Sequence, residues 1–423
     1  MQKNGSAAIK GNKPNDIKNN NQQAVVQLLY HHKELTIPEI AEHLSLSRTA
    51  ATKITKELAD QDLLVESGKR DSCSSGGRRP SLFTINKDYK YVIAILLYPQ
   101  EFYCTLVDMG YNLRLKIRQS FTENEQLENT AMINTLAAAI HQVMDEMKLH
   151  ADQLCGITIM VKGVVNLQTG TVVFPIGASW KAGMPLRDDL AKTLNFEANI
   201  IVENDSRCVG CAELISFPER HEELLMVIVS SSYGVGGCVL DRGSLLHGAN
   251  YFAGEIGHMT VEPFSERLCD CGSYGCLEVL INTKAVLDYA AEYAPLYPES
   301  ALVKAALDRS LSEAEIFEAA NMGEALACKV IDRVAIYLAV GIHNVMITLN
   351  PHRIILEGRL RLMGEYFLDK LQNELTIFPK YIANKLTEVL FSSYQGEEGE
   401  LMAHMQGASY YTLKQYFTKR WAD

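Results

Sequence analysis

Residues 254–278 read Gly254-Glu255-Ile256-Gly257-His258-Met259-Thr260-Val261-Glu262-Pro263-Phe264-Ser265-Glu266-Arg267-Leu268-Cys269-Asp270-Cys271-Gly272-Ser273-Tyr274-Gly275-Cys276-Leu277-Glu278. Cys269, Cys271 and Cys276 form a Cys-x-Cys-x4-Cys cluster, and Gly272 and Gly275 let the backbone turn tightly enough for three thiolates to converge. His258 is the nearest candidate for a fourth ligand, and Cys3His is one of the closed tetrahedral sets of structural Zn2+. Three buried free thiols, or one disulfide with a spare, are the competing readings. Convergence on a metal accounts for the spacing, which core packing does not. The expected cofactor is therefore a structural Zn2+ held by His258, Cys269, Cys271 and Cys276.

Gly-Glu-Ile-Gly-His followed by Cys-x-Cys-Gly-x-x-Gly-Cys-Leu-Glu resembles the signature of the ROK family of repressors, open reading frames and kinases, nearest its N-acetylglucosamine/xylose repressor branch. The resemblance implies an actin-like, two-lobed sugar-kinase architecture, to which repressor members add a DNA-binding domain.

Length and composition bound the reading. At 423 residues, 47% hydrophobic and 22% charged, the chain suits two or three globular units. It holds no apolar run of bilayer length and a polar start without a signal-like core, so a cytoplasmic location and no membrane partner are expected. Ten cysteines, clustered at ligand spacing, point to metal binding in a reducing compartment. The net charge of -11 hides an asymmetry: residues 1–90 carry 14 Lys and Arg against 10 Asp and Glu, while the remainder is strongly acidic. A mildly basic module on an acidic body fits a DNA-binding head on an effector domain.

Residues 1–18 are polar and aperiodic and read as a disordered tail. From Asn19 to His32, Ala24, Val25, Leu28 and Leu29 recur at helical spacing. Thr36 to Glu39 is a capping box with Pro38 in the first turn, opening a second helix with Ile40, Ala41 and Leu44 inward. Ser47 caps a third through about Asp60, with Ala51, Ile54 and Leu58 inside. Ser47, Arg48, Thr49, Thr52, Lys53 and Lys56 are then left to face a major groove. A strand at 63–67, a Gly, Ser and Arg loop, and a return strand at 81–86 complete a winged helix-turn-helix over 19–88. The loop tip, Gly76-Gly77-Arg78-Arg79-Pro80, resembles a stretch of the family's repressors, and Arg78 and Arg79 are candidates for the minor groove.

The body, 89–423, opens with strands at 91–98, 101–108 and 112–121, a helix at 128–148 and a buried strand at 156–161. A kinase of this family carries Asp-x-Gly in the first hairpin, where glycine exposes backbone N–H groups to phosphate and Asp serves the metal. Leu96 and Tyr98 stand in those positions. In the second phosphate loop Ser232-Tyr233 replaces Gly-Thr ahead of Gly234 and Gly236, and Glu357 takes a glycine position in Asn350 to Gly358. These departures imply lost ATP binding and no kinase activity; were the chain a kinase, Asp205 would be the base.

The sugar side is kept. Glu203-Asn204-Asp205 resembles the family's Glu-Asn-Asp motif, and an amide beside a carboxylate suits vicinal hydroxyls. An Asx cap on the next helix is the plainer reading of the same residues. By resemblance Glu255, His258 and Glu278 join Asn204 and Asp205 as sugar contacts, and Gly163 and the surroundings of Trp180 line the cleft. Cys208 and Cys211 read as packing residues. Beyond 282 the chain is helical, with segments at 283–292, 312–347 and 360–374 and a last helix at 400–420. The pattern implies a sugar-responsive regulator whose partners are an operator DNA duplex, a sugar or sugar phosphate, and a second copy as homodimer or dimer of dimers.

Overall fold

The computed structural model describes residues 14–70, 79–123, 128–176, 180–231, 234–376 and 387–422. The chain begins with helix α1 (Pro14–His32), strand β1 (Glu34–Thr36), α2 (Ile37–His43) and α3 (Arg48–Asp60), then β2 (Leu64–Lys69) and β3 (Ser81–Ile85). Helix α1 starts at Pro14, so residues 14–18, read from sequence as tail, form its first turns, and Lys18 pairs with Glu57 at 2.9 Å. The Glu39 carboxylate accepts from both the N–H and the hydroxyl of Thr36 at 2.8 Å, which fixes the start of α2. Ser47 accepts from the Ala50 N–H at 3.2 Å and does the same for α3. Strand β1 was not legible, because three residues are too few to show alternation; it pairs antiparallel with β3 in a sheet of order β1-β3-β2. The result is a winged helix-turn-helix, with wing residues 71–78 outside the described residues.

Two five-stranded sheets with one shared plan build the body. The first runs β6-β5-β4-β7-β10, from β4 (Tyr91–Leu97), β5 (Glu101–Asp108), β6 (Leu113–Ser120), β7 (Leu154–Val161) and β10 (Ile200–Asn204). A hairpin of β8 (Gly163–Asn166) and β9 (Thr171–Pro175) stands off its end. The second runs β13-β12-β11-β14-β15, from β11 (Leu224–Ser231), β12 (Gly234–Asp241), β13 (Ser244–Leu245), β14 (Arg353–Gly358) and β15 (Glu388–Phe391). In each, three strands form an antiparallel meander and two more add in parallel. This is the duplicated, two-lobed architecture that the family resemblance implies.

Strands β4 and β7 are buried along their whole lengths, as central strands are when both faces are covered. One face packs on α4 (Asn129–Glu146) and α5 (Leu186–Thr193). The other meets α10 (Gly396–Ala422), whose Met405 and Ala408 pack with Ala94, Leu96 and Met160. Between the lobes lies α6 (Asp205–Ser216). In the second lobe α7 (Leu277–Ile281), α8 (Thr283–Tyr293) and α9 (Ala325–Leu349) share the core with β11 and β14. The segment 312–347, read as one helix, is broken: Gly323 takes φ +81°, and Glu324 caps α9 through the Ala327 N–H at 2.7 Å.

Helix α10 crosses α6 at a spacing only glycine permits: a Cβ on Gly407 would lie 1.7 Å from the Cys208 carbonyl oxygen. On the other face of α6, a Cβ on Gly210 would lie 1.9 Å from Cys238 Sγ. Glycine costs a helix interior about 1 kcal/mol against alanine, so close approach is what these positions supply. We expect Gly407→Ala to destabilise the protein by about 2–3 kcal/mol through overpacking, read as a lower thermal midpoint. An unchanged midpoint would show that the two helices can separate freely.

Candidate functional site

The chain leaves β10 at Asn204 and enters α6 at Asp205, at the carboxyl end of a parallel strand where α/β sheets place ligands. Asn204 caps α6: its Oδ1 accepts from the Arg207 N–H at 3.3 Å, and its Nδ2 donates to the Gly163 carbonyl at 3.0 Å. Asp205 is buried and paired with an equally buried lysine that sequence reading passed over, Lys162, at 2.8 Å. Its other oxygen accepts from the Ser206 N–H at 2.8 Å. Burial works against the Asp205 charge, yet the Lys162 ammonium and the Ser206 N–H hold the carboxyl below the usual range. A general base works best with a pKa near the operating pH and a free lone pair. Asp205 has the opposite arrangement.

Glu255 opens a short 3-10 turn through His258. Burial raises its pKa, offset by Arg207 and His258, while the carboxylates of Asp205 and Glu278 push it further up. Those influences place Asp205, Glu255, His258 and Glu278 in one neighbourhood. Arg207, fully buried, is the clamp: it reaches Glu203 at 3.2 Å, Glu255 at 3.5 Å and the Tyr251 carbonyl. Glu203 in turn meets His247 Nε2 at 2.9 Å. Glu278 is half-buried, with Oε2 accepting from the Val235 N–H at 2.8 Å and Oε1 lying 3.8 Å from Cys269 Sγ. A Cβ on Gly234 would come within 2.3 Å of that carboxylate, so this glycine of the half-kept phosphate loop makes room for Glu278. A cleft of about 860 Å3 opens beside Glu278, Arg267, Asn282 and Asp288; Asn204, Asp205, Glu255 and His258 are not among its walls.

The ligand atoms of His258, Cys269, Cys271 and Cys276 lie within 4.8 Å of one another, the only such group among the described residues. His258 Nδ1 is 3.5 Å from Cys269 Sγ, and the sulfurs of Cys271 and Cys276 are 3.6 Å apart, beyond any disulfide. Such spacings suit a tetrahedral metal with thiolates at about 2.3 Å, and the donor set fits one. Gly275 allows this fold: at φ +68°, its Cβ would strike the Glu262 carbonyl at 1.9 Å. Cys208 and Cys211 are buried in α6, and burial pushes both thiols up, as packing residues require.

The positions that depart from the family's phosphate-loop pattern carry bulk. Leu96 is buried under Met405 of α10, and Tyr98 sits 5.2 Å from Lys162 Nζ at the turn. Glu357 is buried at the end of β14, and burial, with Glu400 and Glu213 nearby, raises its carboxyl to about 8. Residues 232–233 lie outside the described residues. Trp180 is buried in the first-lobe core, and residues 177–179 of the neighbourhood read as cleft lining lie outside the described residues. Of the DNA-facing candidates, Ser47, Arg48, Thr49, Lys53, Lys56 and Arg79 are exposed; Thr52 is half-buried and donates to the Arg48 carbonyl at 2.7 Å. Arg78 lies outside the described residues.

These features define a winged-helix head joined to a two-lobed, kinase-like body. The ROK family model matches residues 107–413 and the MarR family model residues 18–67. The chain belongs to the ROK family. It is 25% identical over 356 residues to the xylose repressor of Caldicellulosiruptor bescii, covering 84% of this chain and 87% of that one. It is 29% identical over 259 residues to the glucokinase of Halalkalibacterium halodurans, covering 60% and 76%. A solved ROK family transcriptional regulator, described as a homolog of the E. coli MLC protein, shares the fold with a TM-score of 0.75 at 21% identity, over 95% of this chain and 100% of that one.

Folding raises the Glu357 pKa, so the native state keeps a proton the unfolded chain releases, and stability falls as pH climbs from about 5 through 8. Glu357→Gln removes this dependence. Its gain in unfolding free energy over the parent, read by denaturant titration, is expected to grow from pH 5 to pH 8.5, approaching the order of 4 kcal/mol; an equal gain at both pH values would refute the buried, protonated carboxyl.

Proposed function

We propose that this chain is a sugar-responsive DNA-binding regulator, a repressor of carbohydrate uptake or catabolism genes that acts in the cytoplasm. The reading takes 19–88 as the DNA head and 89–423 as the sensor. One observation carries it: Asp205, the residue a kinase would use as base, is buried and tied up by Lys162, while Leu96 packs under Met405 and Glu357 is buried, at two positions where the family's kinases keep an Asp and a glycine. The site keeps hydroxyl-binding groups without the means to transfer phosphate. Support also comes from the relative named a xylose repressor, which aligns with 84% of the chain, against 60% for the glucokinase. No helix among the described residues is long and apolar enough to cross a membrane.

In this reading Arg48, Thr49, Lys53 and Lys56 meet the major groove, Arg78 and Arg79 the minor groove, and two copies read a two-fold operator as a dimer or dimer of dimers. Asn204, Asp205, Glu255, His258 and Glu278 hold the sugar or sugar phosphate. A structural Zn2+ on His258, Cys269, Cys271 and Cys276 fixes the wall that carries Glu255 and Glu278. With Nδ1 toward the metal, His258 keeps its other ring nitrogen for a hydroxyl.

Operator binding is expected to change at least about tenfold with one of D-xylose, D-glucose, N-acetylglucosamine or the 6-phosphates of the last two, measured by anisotropy on DNA selected from a random pool. Lys53→Ala should lower the salt slope of binding by about 1. Failure to select any DNA would sink the regulator reading. ADP release above background with any of these sugars would favour the alternative, a kinase with an appended head. Elemental analysis should find about one zinc per chain, and Cys276→Ser should remove it and destabilise the second lobe; full stability without metal would refute the structural role.

A further inference from the structure

Helix α10 runs from the candidate effector site to the DNA head. It is 27 residues long, about 40 Å at 1.5 Å per residue. Near its start, His404 is buried with Nε2 3.9 Å from Asp205 Oδ2, the same oxygen that Lys162 holds. Its middle is anchored to both lobes: Thr412 and Thr158 share a hydrogen bond of 2.5 Å, and the Tyr410 hydroxyl donates to the Gly243 carbonyl at 3.0 Å. Its end belongs to the head. Leu413 and Phe417 share a core with Val25, Val26 and Leu29 of α1 and Leu58 of α3. Trp421 stacks on Phe417 at 5.0 Å and donates to Gln22 at 3.3 Å, and Arg420 donates to Gln61, the C-cap of α3, at 2.6 Å.

His404 is the unusual member. Its Nδ1 lies 2.8 Å from the Glu400 carbonyl, an acceptor only, so Nδ1 carries the ring proton. Burial lowers its pKa against the pull of Asp205, so the ring is neutral and Nε2 presents a lone pair. That atom is buried with no hydrogen-bond partner. An orphaned acceptor costs about 1–3 kcal/mol, a tension that any donor entering the Asp205 site relieves.

We propose that His404 is the positioning residue through which effector occupancy at Asp205 is passed along α10 to the DNA head. A sugar hydroxyl donating to Asp205 Oδ2 displaces the Lys162 ammonium, which then donates to His404 Nε2. The His404 side chain shifts with its new partner, and α10, held rigid on α6, carries the shift to the seam with α1 and α3. This inference rests on reading the cleft as an effector site. It adds a residue and a route that the Asn204 to Glu278 set does not contain.

The chain has two tryptophans, Trp180 and Trp421, so Trp180→Phe leaves Trp421 as sole reporter of the seam. In that protein, whichever of D-xylose, D-glucose, N-acetylglucosamine and the two 6-phosphates raises the thermal midpoint is expected to shift Trp421 emission. With His404→Phe added, the same sugar should bind within about threefold but no longer shift it. His404→Gln, whose amide oxygen can replace the lone pair, should restore the shift. Binding without a shift, or a shift that survives His404→Phe, overturns the proposal. If none of the sugars binds, the effector reading falls, and the route is tested without ligand. Lys162→Met leaves His404 as the remaining cationic partner of the buried Asp205 carboxylate, so the ring takes a proton and closes on Oδ2; that change of partner should move Trp421 emission in the Trp180→Phe protein and leave it unmoved when His404→Phe is also present. Any other outcome there overturns it.

Discussion

The close crossing of α10 over α6 is the constraint on which the molecule depends. With no side chain at Gly407, the backbone of α10 lies directly on the Cys208 carbonyl, and Gly210 lets α6 lie equally close to β12. A layer of β12, α6 and α10 therefore packs with little slack, and tight interiors pass displacement on because they cannot absorb it. The first lobe reaches this layer through Ala94, Leu96 and Met160, the second through Gly243, and the head through Leu413 and Phe417. Three units that sequence separates are bound by one helix from the chain's end.

The chemistry around Asp205 follows from buried charge. Arg207, Glu203, Lys162 and Asp205 are removed from water, where an unpaired ion costs several kcal/mol and each must find a partner. Lys162 on Asp205 and Arg207 on Glu203 and Glu255 meet that demand with no ligand present. The same pairs take from Asp205 the free lone pair that proton abstraction needs. Leu96, packed under Met405, and a protonated Glu357 stand at positions where the family's kinases are expected to carry an Asp and a glycine. A kinase-like frame has thus been turned toward binding by filling one side and neutralising the other.

Much of the fold was legible. Capping residues Thr36 and Ser47 marked α2 and α3, and apolar runs marked β4, β5 and β7 within a residue or two. Strand β1 was too short to show a period, and the break at Gly323 looked like one more position in a helical stripe. Among site residues, the Cys3His group was readable because its members lie within 19 residues and thiol spacing is a local signal. Lys162, Arg207, His247 and His404 carried no such mark. Their partners lie 43, 48, 44 and 199 residues away, and nothing in the local pattern reports contacts at that range.

By itself, the sequence determined the elements, the metal-type cluster and the loss of the phosphate-loop glycines, because caps, periodicity and ligand spacing act over a few residues. Only the tertiary structure decided what Asp205 does. Its ionisation, its partner Lys162 and its proximity to His404 depend on burial and on chain segments brought together by the α6 and α10 crossing. The stretch from Gly254 to Glu278 shows both. Its cysteines announce a shared point in space, while the orientation of Glu278 toward Val235 and of Glu255 toward Arg207 is set by elements outside it.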